Sequence, residues 1–275
     1  MAECESCPSN GECDNKDTCS IENNPLNKVK NIIGVMSGKG GVGKSTISVL
    51  IAHELNKKGY KVGLMDSDIT GPSIPRLLGI KDVKPVMNEY GIIPVRTTDG
   101  IDVISMNFLV ENEDDPVIWR GPAVSAVVKQ FWTDVIWGEL DYLIIDMPPG
   151  TGDVALTVMQ SIPVTGVVMI STPQDLVSMI VGKAVNMARK LDIEVIGLIE
   201  NMSYIICPEC SDKIKIFESD NIAEFLNKNN LDLLGEIPMC REIVNISNKG
   251  EYNLNTELNE IADSIINKII KKTKK

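Results

Sequence analysis

The 275-residue chain contains a single histidine, His53, which excludes any site that needs two imidazoles. Lying between Ile51 and Leu55, His53 itself reads as a surface or packing residue. Basic charge is also scarce. Lys and Arg number 27 against 38 Asp and Glu, giving a formal net charge of −11 and a sequence pI near 4.7. Proteins that hold nucleic acid through its phosphates present a basic face, so nucleic acid is not an expected partner. No apolar run approaches the roughly 20 residues that cross a bilayer. Val164-Thr-Gly-Val-Val-Met-Ile170 has the length of a strand. The opening Met-Ala-Glu-Cys-Glu is acidic and lacks the apolar stretch of a secretory signal, so the expected compartment is the cytoplasm. There the seven cysteines read as metal or redox ligands rather than disulfides.

What the chain does have is a phosphate-binding loop. Gly38-Lys-Gly-Gly-Val-Gly-Lys-Ser-Thr46 follows the apolar run Val29–Met36 and opens a helical pattern. Gly38, Gly40, Gly41 and Gly43 let the backbone take left-handed turns and approach phosphates without a Cβ in the way. The N–H groups from Lys39 through Val42 to Thr46 then face an anion at a helix N-terminus. Lys44 is placed for the β- and γ-phosphates and Ser45 for Mg²⁺. The ligand expected is a nucleoside triphosphate with Mg²⁺. The generic motif has no need of Lys39.

At 43% hydrophobic and 24% charged residues, the composition is that of a soluble globular protein long enough for one large α/β domain. Residues 1–24 stand apart, holding Cys4, Cys7, Cys13 and Cys19 among small polar and acidic residues with little to bury. Such a segment is flexible unless a metal organises it. From residue 25 to 275 apolar strands alternate with helical periods. Strands are expected at 30–36, 61–66, 101–106, 142–146, 165–170, 194–200 and 232–237. Helices are expected at 45–58, 122–136, 153–161, 175–190, 220–229 and 256–272, with a hairpin within 84–106 turning at Glu89-Tyr-Gly91. This alternation predicts a mostly parallel sheet flanked by helices, in a single P-loop NTPase domain.

Two strands end on carboxylates, where ligands bind in open α/β sheets. Lys61-Val-Gly-Leu-Met-Asp66-Ser-Asp68 places Asp66 and Asp68 so that one can orient an attacking water or hold Mg²⁺ through water. Leu140-Asp-Tyr-Leu-Ile-Ile-Asp146 is a Walker B pattern, and the Pro-Pro-Gly-Thr-Gly that follows suits a loop that moves with the γ-phosphate. Asn201, after the strand at 194–200, reads equally as a turn former or a ligand contact.

Lys39 within Lys-Gly-Gly-Val-Gly-Lys-Ser is the signature of the deviant Walker A ATPases, a group that includes nitrogenase iron protein, MinD and ParA. Over about residues 29–250 the chain resembles the Mrp-type branch, which carries iron–sulfur clusters. Trp119-Arg-Gly-Pro122, the string 140–153, Ser171-Thr-Pro-Gln174 and Glu200-Asn-Met-Ser-Tyr204 ahead of Cys207-Pro-Glu-Cys210 all support the likeness. The resemblance implies a homodimeric ATPase in which Lys39 reaches the partner subunit's nucleotide and Asp68 positions the hydrolytic water. It also implies that Asn201 bonds adenine, with Pro238 to Arg241 lining the other side of the base.

Cys207 and Cys210 supply two thiolates where zinc or a [4Fe–4S] cluster takes four. A two-fold dimer brings four together, so a bridging cluster is expected. A redox pair or a zinc knuckle are the other readings of the bare motif. Cys4, Cys7 and Cys13 match a ferredoxin-like segment of the family's cytosolic-scaffold branch, whose further upstream cysteine lies before the start of this chain. Cys19 is the candidate fourth ligand, with zinc or an unliganded tail as alternatives. Cys240 stands where relatives carry Asp and reads as structural or near the adenine. The resemblance thus implies ATP, Mg²⁺ and a [4Fe–4S] cluster as ligands and apo iron–sulfur proteins as partners. An ATP-driven electron donor of the nitrogenase iron protein type is the alternative, and a positioning switch on DNA or membrane is disfavoured by the acidic charge and the cysteines. The C-terminal helix, with Ile261, Ile265, Ile266, Ile269 and Ile270 on one side, is expected to pack on the core rather than anchor to lipid.

Overall fold

The computed structural model describes residues 23–68, 74–80, 83–109, 121–176, 179–210, 212–215 and 222–274. In chain order the first elements are β1 (Lys28–Ser37), α1 (Lys44–Lys57), β2 (Val62–Asp66) and α2 (Ile74–Leu77). β3 (Val86–Asn88), β4 (Gly91–Ile93), β5 (Val95–Arg96), β6 (Asp102–Ser105), α3 (Gly121–Thr133), β7 (Glu139–Asp146) and α4 (Asp153–Ser161) follow. The second half comprises β8 (Gly166–Ser171), α5 (Pro173–Leu176), α6 (Met179–Lys190), β9 (Glu194–Asn201), β10 (Ile205–Ile206) and β11 (Lys213–Ile214). It closes with α7 (Ile222–Lys228), β12 (Leu233–Ile237), α8 (Arg241–Lys249) and α9 (Thr256–Thr273).

Eight strands form one sheet in the order β12-β9-β8-β1-β7-β2-β6-β5, parallel except for the β5–β6 pair. The expected α/β fold is therefore observed. All five residues of β2 and all six of β8 are buried, as is the last half of β1. Such unbroken apolar runs cannot have a wet face, and helices cover the sheet accordingly. Because β1 has β7 on one side and β8 on the other, chain connections diverge around it. That divergence opens a crevice at the carboxyl ends of the central strands.

α9 buries Leu258, Ala262, Ile265, Ile266 and Ile269 and packs along β12. At about 1.5–3 kcal/mol for each large apolar side chain buried, that face is committed to the core. Asn255 caps the helix by accepting from Leu258 N–H at 2.9 Å. Among the described residues no helix is long and apolar enough to cross a membrane. His53 stacks on Tyr252 with ring centroids 4.2 Å apart, a packing role.

Several elements differ from expectation. The helix foreseen at 175–190 comprises α5 and α6, with 177–178 outside the described residues. The hairpin is confined to β3 and β4, where Asn88 Oδ1 accepts from Tyr90 N–H and Gly91 N–H, while β5 and β6 join the main sheet. α8 was not foreseen: its N-cap is Cys240, which makes no side-chain capping bond, so the usual start signal is missing. The β10–β11 pair consists of two-residue strands, too short for any periodicity.

Candidate nucleotide pocket and thiol turn

The loop between β1 and α1 turns at Gly43, which adopts φ 81° and occupies the N-cap of α1. A Cβ at that position would lie 2.3 Å from Asn201 Nδ2. The Asn201 amide in turn donates to Val42 O at 2.8 Å, tying the loop to the end of β9. Gly43 is thus required both by its left-handed backbone and by the close approach of Asn201.

Behind the loop lies a compact charge cluster. β2 and β7 are neighbours, and their terminal residues Asp66 and Asp146 stand directly in register. Lys44, buried, places Nζ 2.8 Å from Asp146 Oδ1 and 3.6 Å from Asp68 Oδ2. Asp146 also accepts from Ser45 Oγ at 2.6 Å and Ser48 Oγ at 2.8 Å. Asp66 takes the Ser105 hydroxyl at 2.8 Å and the Asp68 N–H at 3.1 Å. Burial, and next the charge of Asp146, pushes the Asp66 carboxyl up to about 8, against the opposing pull of Ser105 and Lys44. Asp66 therefore holds a proton at neutral pH in the nucleotide-free chain.

The sign of the resulting pH dependence follows. Between the ordinary carboxylate value and about 8, the folded nucleotide-free protein carries a proton that the unfolded chain has lost. This contribution is complete below the unfolded value and is lost as pH rises to about 8, at up to about 1.4 kcal/mol per pH unit. Denaturant unfolding of wild type and Asp66→Asn at pH 6 to 9 should show wild type losing stability relative to the variant as pH rises. A difference independent of pH would refute the protonated Asp66.

A cavity of about 690 Å³ opens in front of this cluster. Ser37, Lys39, Gly40, Gly41, Gly43, Lys44, Ser45, Thr46 and Asp68 line one side. Arg76, Leu77, Pro149, Asn201, Met202, Ile243 and Val244 line the rest. Lys39 is exposed and Val42 buried. Gly38 closes the end of β1 against Val181 of α6. Pro238 is buried after β12 and is not among the lining residues; α8 supplies the apolar wall through Ile243 and Val244 instead. Asn201 Oδ1 is buried without a hydrogen-bond partner among the described residues, an acceptor suited to an amino group on a base. Ser45 and Asp146 offer the hard oxygen donors that Mg²⁺ prefers. The residues present thus fit a magnesium nucleotide.

Past Asn201 the chain runs through Met202, Ser203 and the buried Tyr204 into β10. Cys207-Pro-Glu-Cys210 forms the turn between β10 and β11, fastened by Cys207 N–H to Asp212 O at 2.9 Å. Backbone donation from Cys210 and then Glu209 holds the Cys207 thiol below its ordinary value, which favours the metal-binding thiolate. Cys210 is exposed and its Sγ lies 3.2 Å from Asp212 Oδ2. Among the described residues no group of three or more His, Cys, Asp or Glu is placed to hold a metal, so within one chain the turn offers two sulfurs and no third ligand. Cys240 is half-buried and burial pushes its thiol up, in keeping with a structural part. Cys4, Cys7, Cys13 and Cys19 lie outside the described residues.

Sequence reading missed Ser48, Ser105 and the α8 wall. Ser48 was within reach, because it lies four residues after Lys44 on the same helix face. Ser105 ends β6, the strand beside β2, and only the strand order reveals it.

Known proteins match this arrangement. The sequence model described as "ParA: NUBPL iron-transfer P-loop NTPase" matches residues 28–274. An iron-sulfur cluster carrier protein of Clostridium perfringens is 49% identical over 255 residues, covering 90% of this chain and 89% of that one. A nucleotide-binding protein of Archaeoglobus fulgidus, solved in complex with ADP, superposes with a TM-score of 0.73 at 40% identity, over 82% of this chain and 88% of that one. The cell division ATPase MinD of Pyrococcus furiosus shares the fold at 19% identity, with a TM-score of 0.61 over 88% of this chain and 99% of its own. With its deviant P-loop, its Asp66–Asp146 pair and a family match over nearly the whole described body, the chain belongs to the NUBPL/Mrp family of iron-transfer P-loop NTPases.

Proposed function

We propose that the protein is an ATP-binding and ATP-hydrolysing iron–sulfur carrier that assembles a cluster between two copies of itself and transfers it to apo-proteins. One observation carries this reading. β9 ends on Asn201 in the nucleotide pocket and leads within six residues to the Cys207–Cys210 turn, whose two thiols support a ligand set completed by a second copy. The names of close relatives support it, since the Clostridium protein is an iron-sulfur cluster carrier.

In this reading the loop from Gly38 to Thr46 cradles the phosphates, and Lys44 neutralises the β- and γ-phosphates. Ser45 and Asp146 hold Mg²⁺, which supplies charge neutralisation when bound. Asn201 accepts from the adenine amino group. Asp68 orients the water that attacks the γ-phosphorus, releasing ADP and phosphate, and Lys39 serves the partner's nucleotide. Cys207 and Cys210 from two copies bind one [4Fe–4S] cluster as cargo. Cys4, Cys7, Cys13 and Cys19 form a second cluster site. Reduced thiolates of this kind suit the cytoplasm.

The test uses the anaerobically loaded full chain mixed with an apo-ferredoxin that lacks its cluster. A carrier loses cluster absorbance as the acceptor gains it, and ATP changes the rate. An electron donor of the nitrogenase iron protein type would keep its cluster and reduce an oxidised, cluster-loaded acceptor instead. Retention with ATP-dependent reduction would replace the carrier reading.

A further inference from the structure

Residues 200 and 201 are consecutive in β9 and so face opposite sides of the sheet. Asn201 faces the phosphate loop and bonds Val42 O. Glu200 faces the other way and is fully buried, with Oε2 accepting from Ser203 Oγ at 2.9 Å and Oε1 without a hydrogen-bond partner among the described residues. Ser203 Oγ also lies 3.3 Å from Glu236 Oε1 on β12. Glu236 accepts from Lys215 Nζ at 3.1 Å, and Lys215 immediately follows β11, the far strand of the cysteine hairpin. The stem of the near strand is held by backbone, through Ser203 N–H to Ile237 O at 3.0 Å and Met239 N–H to Tyr204 O at 2.8 Å. The far strand pairs with β10 and is tied to the body of the protein by side chains: Lys215 on Glu236, and Lys213 above the Tyr204 ring at 4.4 Å. Burial pushes the Glu200 carboxyl up. Burial works in the same direction on Glu236, but Lys215 outweighs it and holds that carboxyl below its ordinary value. Glu200 is thus shifted up and Glu236 down, and it is Glu236 that pairs with the single lysine.

We propose that Glu236 and Lys215, backed by Glu200 and Ser203, are positioning residues that hold the Cys207–Cys210 turn in place and make its thiol reactivity respond to nucleotide in the Asn201 pocket. The physical basis is adjacency. A ligand that engages Asn201 shifts or stiffens the end of β9, and Glu200 is the next residue on that strand. Its contacts run through Ser203 to Glu236 and end on the half-exposed Lys215 at the end of the far strand.

The inference rests on the proposed function for what the thiols carry, yet its test needs no cluster. The probes are ADP and iodoacetamide, acting on the reduced, cluster-free full chain. Alkylation of Cys207 and Cys210 is followed peptide by peptide in a mass spectrometer, and ADP affinity is measured separately. Saturating ADP is expected to change the wild-type alkylation rates by about fivefold, the lower end of coupling between linked sites. Glu236→Gln and Lys215→Met should reduce that change to less than about twofold while ADP affinity stays within about twofold, and Lys215→Arg should restore it. A merely structural tie would alter basal rates and leave the ADP response. A wild type with no ADP response, or variants that keep the full response, would overturn the proposal. Should the response behave as expected in a protein that passes no cluster to an acceptor, the carrier reading falls and the tie stands. The reverse outcome removes the tie alone.

Discussion

Mixing equal amounts of Lys39→Ala and Asp68→Asn subunits, each nearly inactive alone, is expected to restore about a quarter of wild-type ATP hydrolysis. The expectation comes from where the two side chains lie. Lys44 is buried between Asp146 and Asp68 and already supplies the cation deep in the pocket. Lys39 is exposed and lines the same cavity, and in the proposed function it reaches the nucleotide of a facing subunit. A cation delivered across an interface to a phosphoryl transition state is worth about 10³ to 10⁵ in rate. Loss of the residue that orients the attacking water costs about 10² to 10⁴. Each homogeneous variant therefore falls to background.

In a mixed dimer one nucleotide faces its own intact Asp68 and the partner's intact Lys39, while the other faces both defects. Random pairing makes about half the dimers mixed, each with one working site of two, hence the quarter. If Lys39 acted within its own subunit, neither site of the mixed dimer would be complete and no activity would return. Stability controls are straightforward. Lys39 is exposed, so its truncation removes little packing, and Asn keeps the shape of Asp68 beside Lys44. Unfolding of each variant before mixing checks that both enter the experiment folded.

The parts of this site that were legible in the sequence are those made by contiguous chain. Gly38 to Thr46 reads as strand, loop and helix start because glycine, lysine and hydroxyl must fall at fixed offsets for one phosphate. Asp66 and Asp146 read as strand ends because each closes an apolar run. Their mutual contact was not legible, since it depends on β2 and β7 being neighbours, and with it went the protonated state of Asp66. Asn201 and Val42 are 159 residues apart, and only the fold brings that amide to the loop. The sequence points to Pro238 to Arg241 beside the base, whereas Pro238 is buried and the nucleotide-free cavity is lined by Ile243 and Val244, just beyond that stretch in α8. α8 lacks both a capping side chain and length, so periodicity had little to work with. The Glu236–Lys215 tie is invisible in sequence for another reason: a surface lysine and a strand glutamate carry no signal until a hairpin folds one over the other.

The remaining large effect concerns the thiol turn. In anaerobic reconstitution with iron and sulfide, Cys207→Ala/Cys210→Ala is expected to lose about four iron atoms per dimer relative to wild type. Any iron held by Cys4, Cys7, Cys13 and Cys19 would remain in that variant, so removing those four cysteines as well should bring bound cluster to background. The single variant Cys207→Ala is expected to behave like the double one. Within one chain the turn has two sulfurs and no third ligand among the described residues, and a dimer of single variants would offer only two thiolates to a cluster that takes four. A redox pair or a zinc knuckle predicts otherwise. The redox pair would oxidise to a disulfide without binding iron, and the knuckle would retain zinc in a monomer. If, as proposed, the cluster binds only the paired state, loading should also pull monomers into dimers, and dilution should weaken cluster binding. Sedimentation of loaded and cluster-free protein measures that linkage directly. A double variant that holds as much cluster per chain as wild type, or a loaded protein that sediments as a monomer, would place the cluster elsewhere. The two halves of the argument then meet at one interface. In the proposed function one dimer both carries Lys39 to a neighbouring nucleotide and completes the four-thiolate site, so a substitution that weakens subunit pairing should lower ATP hydrolysis and cluster retention together.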